Sequence, residues 1–160
     1  MHEEPLALSL STLLPLGWQS VQTGVATETN PRVLAGLEAL ENPPPAAGET
    51  EAWWQRLEAK TDLLLAHTVL AATAQPPREK QNVELRADGL SWHGPAQQGL
   101  QECWLELSPL VPPLVLQVAA AGQSGVFLNL TPALQEQLER LIFRRHRREL
   151  KRRKEAPSAG

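Results

Sequence analysis

Residues 82–93 read NVELRADGLSWH, and this stretch decides the fold. Val83 and Leu85 alternate with Glu84 and Arg86, a period of two that sets the apolar pair on one face of a strand. Asp88-Gly89 then offers the positive φ that a tight hairpin turn demands. Leu90 and Trp92 resume the alternation on the return. The segment predicts a β-hairpin, apolar on one face, in an antiparallel sheet.

Short apolar runs further along extend that sheet. Leu100–Leu107, LQECWLEL, sets Cys103, Leu105 and Leu107 on one face and Trp104 on the other. LVLQVAA at 114–120 follows Pro112-Pro113, and VFLNL at 126–130 follows the turn Gly122-Gln123-Ser124-Gly125. Short strands divided by Gly/Pro turns predict an antiparallel sheet curling into a small barrel over residues 81–131. Upstream, Leu6, Leu8 and Leu10 alternate with Ala7, Ser9 and Ser11 as an edge or half-buried strand would. Pro15-Leu16-Gly17 breaks that pattern.

Three helices complete an α+β chain. Asn30-Pro31 reads as an N-cap followed by proline at the first helical position. Val33, Leu34, Leu37 and Leu40 form one face of this helix, and Pro43-Pro44-Pro45 ends it. Thr50 is placed to cap a long leucine-rich helix over 51–74, with Pro76-Pro77 as the stop. From Leu63 onward its apolar residues go nearly all round, more than one core can cover. A seam of Trp54, Leu57, Thr61, Leu64, Thr68 and Ala71 follows heptad spacing. One side of the helix should rest on the sheet and the other on the same helix of another subunit, so Trp54, Leu57, Leu64 and Ala71 are the candidate oligomerisation residues. Thr131-Pro132 repeats the cap-and-proline signature and opens a last helix over 132–154. Its Leu134, Leu138, Leu141 and Ile142 are spaced to dock on the barrel. Beyond Arg144 it is basic nearly all round, which predicts final turns projecting into solvent, and 156–160 read as a disordered tail.

With 160 residues, 42% of them hydrophobic, the chain suits one folded domain over 1–155. Residues 1–49 form its N-terminal segment and short helix. The net charge of −3 hides an asymmetry. Residues 1–139 carry six bases against sixteen acids, and 140–154 carry nine bases against Glu149 alone. The single cysteine, Cys103, excludes an internal disulfide and reads as a buried, inert thiol. No apolar run approaches the ~20 residues of a membrane span. Glu3 and Glu4 stand where a signal peptide needs positive charge, so a cytoplasmic location is expected. His2, His67, His93 and His146 lie far apart, and neither a catalytic motif nor metal-ligand spacing is present. These features predict a protein that is not an enzyme and holds no metal or cofactor.

The hairpin resembles a degenerate copy of the PilZ-domain motif, Asp/Asn-x-Ser-x-x-Gly followed by an apolar residue. Aligned on Gly89-Leu90, the acidic position falls on Glu84 and the serine position on Arg86. The order of segments, RLEAKTDLLLAHTVL before the hairpin and LERLIFRRHRREL after it, resembles the atypical PilZ proteins. The likeness covers most of residues 50–155 and, more weakly, the start PLALSLSTLLPLGW. It implies a small barrel, cyclic di-GMP as ligand, and added helices that assemble a homo-oligomer, a dimer or a tetramer. In that family an Arg-x-x-x-Arg pair before the barrel forks onto the ligand's phosphates. Here only Arg78 and Lys80 stand in that segment, with Glu79 between them. The resemblance thus nominates Arg78, Lys80, Glu84, Arg86 and Gly89 as ligand-binding residues while removing the arginine pair. The expected function is a regulatory or adaptor module of bacterial cyclic di-GMP signalling that works through contacts with a protein partner the sequence does not name. The competing reading is a nucleic-acid or anionic-surface binder acting through the basic C-terminal helix. The acidic body, and the lack of any aromatic residue in that helix beyond Phe143, weigh against it.

Overall fold

The computed structural model describes residues 8–21, 28–128 and 130–156. Its elements run β1 (Leu10–Gln19), α1 (Asn30–Glu41), α2 (Thr50–Ala71), β2 (Glu79–Leu85), β3 (Gly89–Trp92), β4 (Gln97–Leu105), β5 (Leu114–Gly122), β6 (Ser124–Leu128) and α3 (Pro132–Glu155). The six strands close into an antiparallel barrel in the order β1-β2-β3-β6-β5-β4. The expected small barrel is present, with one strand more than residues 81–131 supply.

That extra strand is β1, and it runs straight through Pro15 and Gly17, where the sequence pattern predicts a break. Pro15 lies opposite Lys80 in the register with β2, yet its carbonyl accepts from the Glu106 amide on the other side (3.0 Å). A strand residue directs its N–H and C=O toward the same neighbour. Proline's missing donor therefore faces Glu106, one residue past the last β1–β4 pair at Leu16 and Leu105, and the ladder with β2 is left uninterrupted. Leu6 and Ala7 lie outside the described residues.

The barrel interior follows the expected alternation. Leu14, Leu16, Val83, Leu85, Leu90, Trp92, Cys103, Leu105, Leu116, Val118 and Phe127 belong to one buried cluster. The hairpin tip, however, is displaced by one residue. Val83 pairs with Trp92 and Leu85 with Leu90, and the Arg86 amide donates to the Gly89 carbonyl (2.9 Å), so Ala87-Asp88 form the tip. Gly89 is the first residue of β3, and it is not among the positive-φ glycines of the described residues. It is needed for closeness instead, because a Cβ there would sit 2.3 Å from the Gly125 carbonyl oxygen on β6. The next hairpin also turns tighter than expected: Ala121 pairs with Ser124, leaving Gly122, at φ +73°, and Gln123 as its loop.

Helix α1 docks on the barrel through Asn30, which the sequence places as an N-cap. Thr29 holds the cap position, and the Asn30 side chain is directed to β5. Its Nδ2 donates to the Val115 carbonyl (2.7 Å), while the Val115 amide donates to its Oδ1 (2.8 Å). A buried carboxamide thus satisfies both backbone groups of one strand residue, as a neighbouring strand would.

Helix α2 lies against α1. Its buried residues are Leu63, Ala66 and Leu70, one narrow stripe. Gly36 of α1 lets the helices approach, since a Cβ there would meet Leu63 at 2.8 Å. Only its C-terminal end reaches the barrel, where Leu70 packs with Trp104 and Val115. The expected docking of one whole side on the sheet is therefore corrected: α1 is the support. The helix also starts at Thr50 and ends at Ala71, three residues before the expected Ala74. Glu49, not Thr50, occupies the N-cap position, and it makes no side-chain cap bond.

Helix α3 begins as the sequence indicates, with the Leu134 amide donating to Thr131 Oγ1 (3.1 Å). Leu134, Leu138, Leu141 and Ile142 are buried.

Two predictions follow from this packing. Asn30→Ala leaves a buried N–H and C=O of Val115 without partners, which should lower unfolding free energy by about 2–4 kcal/mol, measured by denaturant melting. Complete burial pushes the Cys103 thiol far above its ordinary range, so thiolate is absent at neutral pH. A thiol reagent should label Cys103 only as fast as the barrel opens, giving full reaction in denaturant and almost none in buffer.

Candidate functional site

The residues nominated for ligand binding separate into two groups along β2. Arg78 precedes the strand and is occupied. Its Nε faces Glu106 Oε2 at 3.4 Å, and its Nη1 donates to Gln75 Oε1 (3.0 Å). Together with Pro15, Pro76 and Lys80 it lines an open depression of about 400 Å³. Glu84 and Arg86 lie toward the other end. Arg86 reaches Glu84 at 3.7 Å and Asp88 at 3.5 Å, so its charge is shared between two carboxylates. Eight residues of extended chain separate Arg78 from Arg86, about 26 Å. The structure brings Glu84, Arg86 and Asp88 together and leaves Arg78 and Lys80 apart. Gly89, buried beneath β6, offers no surface of its own.

On the outer barrel face, Glu84 lies opposite Ser91, Ser91 opposite Ser124 and Ser124 opposite Ala121. Apart from Glu84 this row consists of small residues, and it carries no cation. Beyond the hairpin tip, Arg86, Asp88, Gln135, Glu139 and Phe143 line a cavity of about 380 Å³. Glu139 and Asp88 make that cavity a poor match for phosphate.

The candidate oligomerisation residues share one exposed face of α2. Trp54 is 65%, Leu57 54% and Leu64 67% exposed, and Thr61, Thr68 and Ala71 of the same seam are also exposed. Trp53 and Leu65 flank the seam and are exposed too. This is a largely apolar stripe, interrupted by Thr61 and Thr68, along a helix whose opposite side is already covered by α1. Patches of this kind mark interaction surfaces.

The first part of the basic helix is anchored rather than free, a departure from the expectation of turns projecting from Arg144 onward. Arg144 Nε donates to Glu41 Oε2 (2.9 Å) and Arg145 Nε to Glu41 Oε1 (3.0 Å). Arg145 Nη2 also donates to the Leu107 carbonyl (2.8 Å). Arg148 bonds the Glu41 carbonyl and stands 3.5 Å from its carboxylate. One carboxylate, 11% exposed, thus ties the last residue of α1 to three arginines of α3. Nothing local in the sequence marks Glu41, because its partners lie more than a hundred residues away. Glu102 also escapes a sequence reading. It is buried on β4, where Gln19 Nε2 (2.6 Å) and Trp104 Nε1 (2.8 Å) both donate to Oε1. Past Arg148, Arg152 and then Arg153 hold the Glu149 carboxyl below its usual range by donating to it.

Among the described residues no cluster of His, Cys, Asp and Glu could hold a metal ion, and no helix is long and apolar enough to cross a membrane. Residues 32–154 match the family described as atypical PilZ domain, cyclic di-GMP receptor. This chain belongs to that family. The resemblance carried by the hairpin and the order of helices is thereby borne out. A solved structure from Xanthomonas campestris is similar to this atypical PilZ domain over 91% of the chain and 92% of its own, with 27% identity and a TM-score of 0.59. That protein is described as a tetrameric PilZ domain self-assembled via an unusual helical bundle. No curated protein matches the chain.

In this atypical PilZ domain Glu41→Ala leaves three arginines without their shared carboxylate. The arginines are partly solvated, so the loss should fall below that of a fully buried pair, at about 2 kcal/mol. Residues 151–156 are exposed, so removing residues 151–160 should leave the melting temperature nearly unchanged. Melting curves of the two variants should therefore move in clearly different measure.

Proposed function

We propose that this atypical PilZ domain is a non-enzymatic regulatory module of cyclic di-GMP signalling that assembles through α2 and acts by protein contacts, with weak direct nucleotide binding. The observation that carries the reading is the exposed stripe Trp54, Leu57, Leu64 and Ala71 on a helix already supported by α1. Burying an aliphatic side chain gains about 1.5–3 kcal/mol, so three or four such residues favour association strongly. The Xanthomonas relative, a tetramer built on a helical bundle, supports the same mode here, with α2 helices of several copies at the centre.

The weak nucleotide affinity is argued from charge. A doubly phosphorylated ligand needs guanidinium forks free to meet it. Arg78 is taken by Glu106 and Gln75, Arg86 lies between Glu84 and Asp88, and Lys80 carries only a point charge. A phosphate contact by either arginine would first displace a carboxylate or an amide. The competing reading, a nucleic-acid or anionic-surface binder, draws on the same basic helix, but Arg144, Arg145 and Arg148 are engaged by Glu41.

Light scattering should report an oligomer at tens of micromolar, and Leu57→Glu with Leu64→Glu should reduce it to a monomer that keeps its barrel signal in circular dichroism. A monomeric parent protein would overturn the assembly. Titration calorimetry should show cyclic di-GMP binding weaker than about 1 µM, or ~8 kcal/mol. Tighter binding would overturn the adaptor reading, and Arg78, Lys80 and Arg86 to alanine would then locate the site.

A further inference from the structure

Helix α1 ends on a turn that its own chain does not complete. In a continued helix the amides of residues 43, 44 and 45 would bond the carbonyls of Ala39, Leu40 and Glu41. All three are proline, with no N–H to give. The Asn42 amide reaches back to the Glu38 carbonyl (2.9 Å), and the backbone then leaves extended at Asn42. The same turn carries Glu38 and Glu41 and no basic residue, although the negative end of the helix dipole lies there and disfavours carboxylates. Both deficits are met from other helices. Arg148 of α3 donates to the Glu41 carbonyl, and Arg56 of α2 donates to the Asn42 carbonyl (3.3 Å). Arg144 and Arg145 hold the Glu41 carboxylate, and Arg140 stands 3.7 Å from Glu38. The end of α1 is therefore a junction at which α2 and α3 both donate to one short stretch of chain.

The junction also sets where the apolar stripe of α2 stands. Leu70 locates that helix against the barrel, Leu63 against Gly36 of α1, and Arg56 at the junction. Arg56 lies between Trp54 and Leu57 in sequence, so the end of the stripe that carries the indole takes its position from the end of α1. Helix α1 in turn is fixed at its start by Asn30 on β5 and at its end by the arginines of α3. We propose that the Glu41 junction is a positioning device for assembly. The arginines of α3 hold α1 and α2 in the attitude from which the stripe associates, so that one carboxylate outside the stripe governs oligomerisation. This rests on the assembly through α2 proposed above. Association driven by apolar burial alone does not respond to a charge on α1. Association that depends on how the stripe is held does respond, because a surface already in place avoids the ordering cost of binding.

The test is Glu41→Gln in the full chain, which keeps the shape of the side chain and removes its charge. Light scattering over a dilution series follows the oligomer, and protection of Cys103 from a thiol reagent follows the barrel. The variant should need a concentration about tenfold or more above the parent's to assemble, with Cys103 still protected. Arg145→Gln should act likewise, and the two together should do little more than either alone, since they break the same contact. Glu106→Gln is the control. It breaks the part-buried Arg78–Glu106 pair on the barrel (3.4 Å), which should lower the melting temperature and leave assembly unchanged. Assembly of Glu41→Gln at the parent's concentration would overturn the proposal. Loss of Cys103 protection in Glu41→Gln and Arg145→Gln would also overturn it, because the carboxylate would then be holding the barrel. So would a loss of assembly that tracks melting temperature alike in Glu41→Gln and Glu106→Gln, which would make the junction a source of stability only. A monomeric parent would overturn the assembly through α2 and this inference with it, whereas an oligomeric parent indifferent to Glu41→Gln would overturn this inference alone.

Discussion

A six-stranded sheet becomes a barrel only when one strand is bonded on both edges by what would otherwise be the sheet's two ends. Here that strand is β1, and the residue common to both ladders is Leu16, opposite Glu79 on one side and Leu105 on the other. Its side chain is almost wholly buried. Gly17, next to it, lets the Pro76-Pro77 connector cross over the strand, since a Cβ there would stand 2.6 Å from the Pro77 carbonyl oxygen. Closure removes the exposed sheet edges that would invite aggregation. It also frees the helices from covering the sheet, so that α2 can turn its apolar side outward.

The three helices form a layer whose α1 and α3 side chains share the barrel's buried cluster and whose ends are fixed by three specific contacts. Asn30 holds the start of α1 through the Val115 backbone, Glu41 holds its end to α3, and Leu70 seats the end of α2 against Trp104. Each is a polar or apolar contact between residues distant in sequence. The exposed stripe of α2 is consequently carried on a helix that rests on α1 and meets the barrel itself only near Leu70.

Much of this was legible from periodicity. Strand alternation at Val83–Trp92, the helix starts at Thr131-Pro132, the exposed seam of α2 and the docking face of α3 all depend on residues within one or two turns of each other. The misreadings share a cause. Pro15 looked like a break because the sequence does not say that its missing amide falls at the end of the β4 ladder, beside Glu106, and not within the ladder to β2. Asn30 looked like a cap because the pattern of Asn before Pro is local, whereas its partner Val115 is not. Glu41 had no local signal at all. The candidate ligand residues were found by motif and then separated by geometry, since β2 places Arg78 and Arg86 at opposite ends.

Gly89 shows what such a motif records. The glycine is required because β6 passes too close for any side chain, and that holds whether or not a nucleotide ever meets the outer face. Arginines on the outer face can change without disturbing the barrel's close approaches, whereas a side chain in place of this glycine would force β6 to shift. The most recognisable residue of the signature is therefore a witness to architecture and silent about chemistry. Evidence for a receptor must come from the charged positions around it, which are free to change.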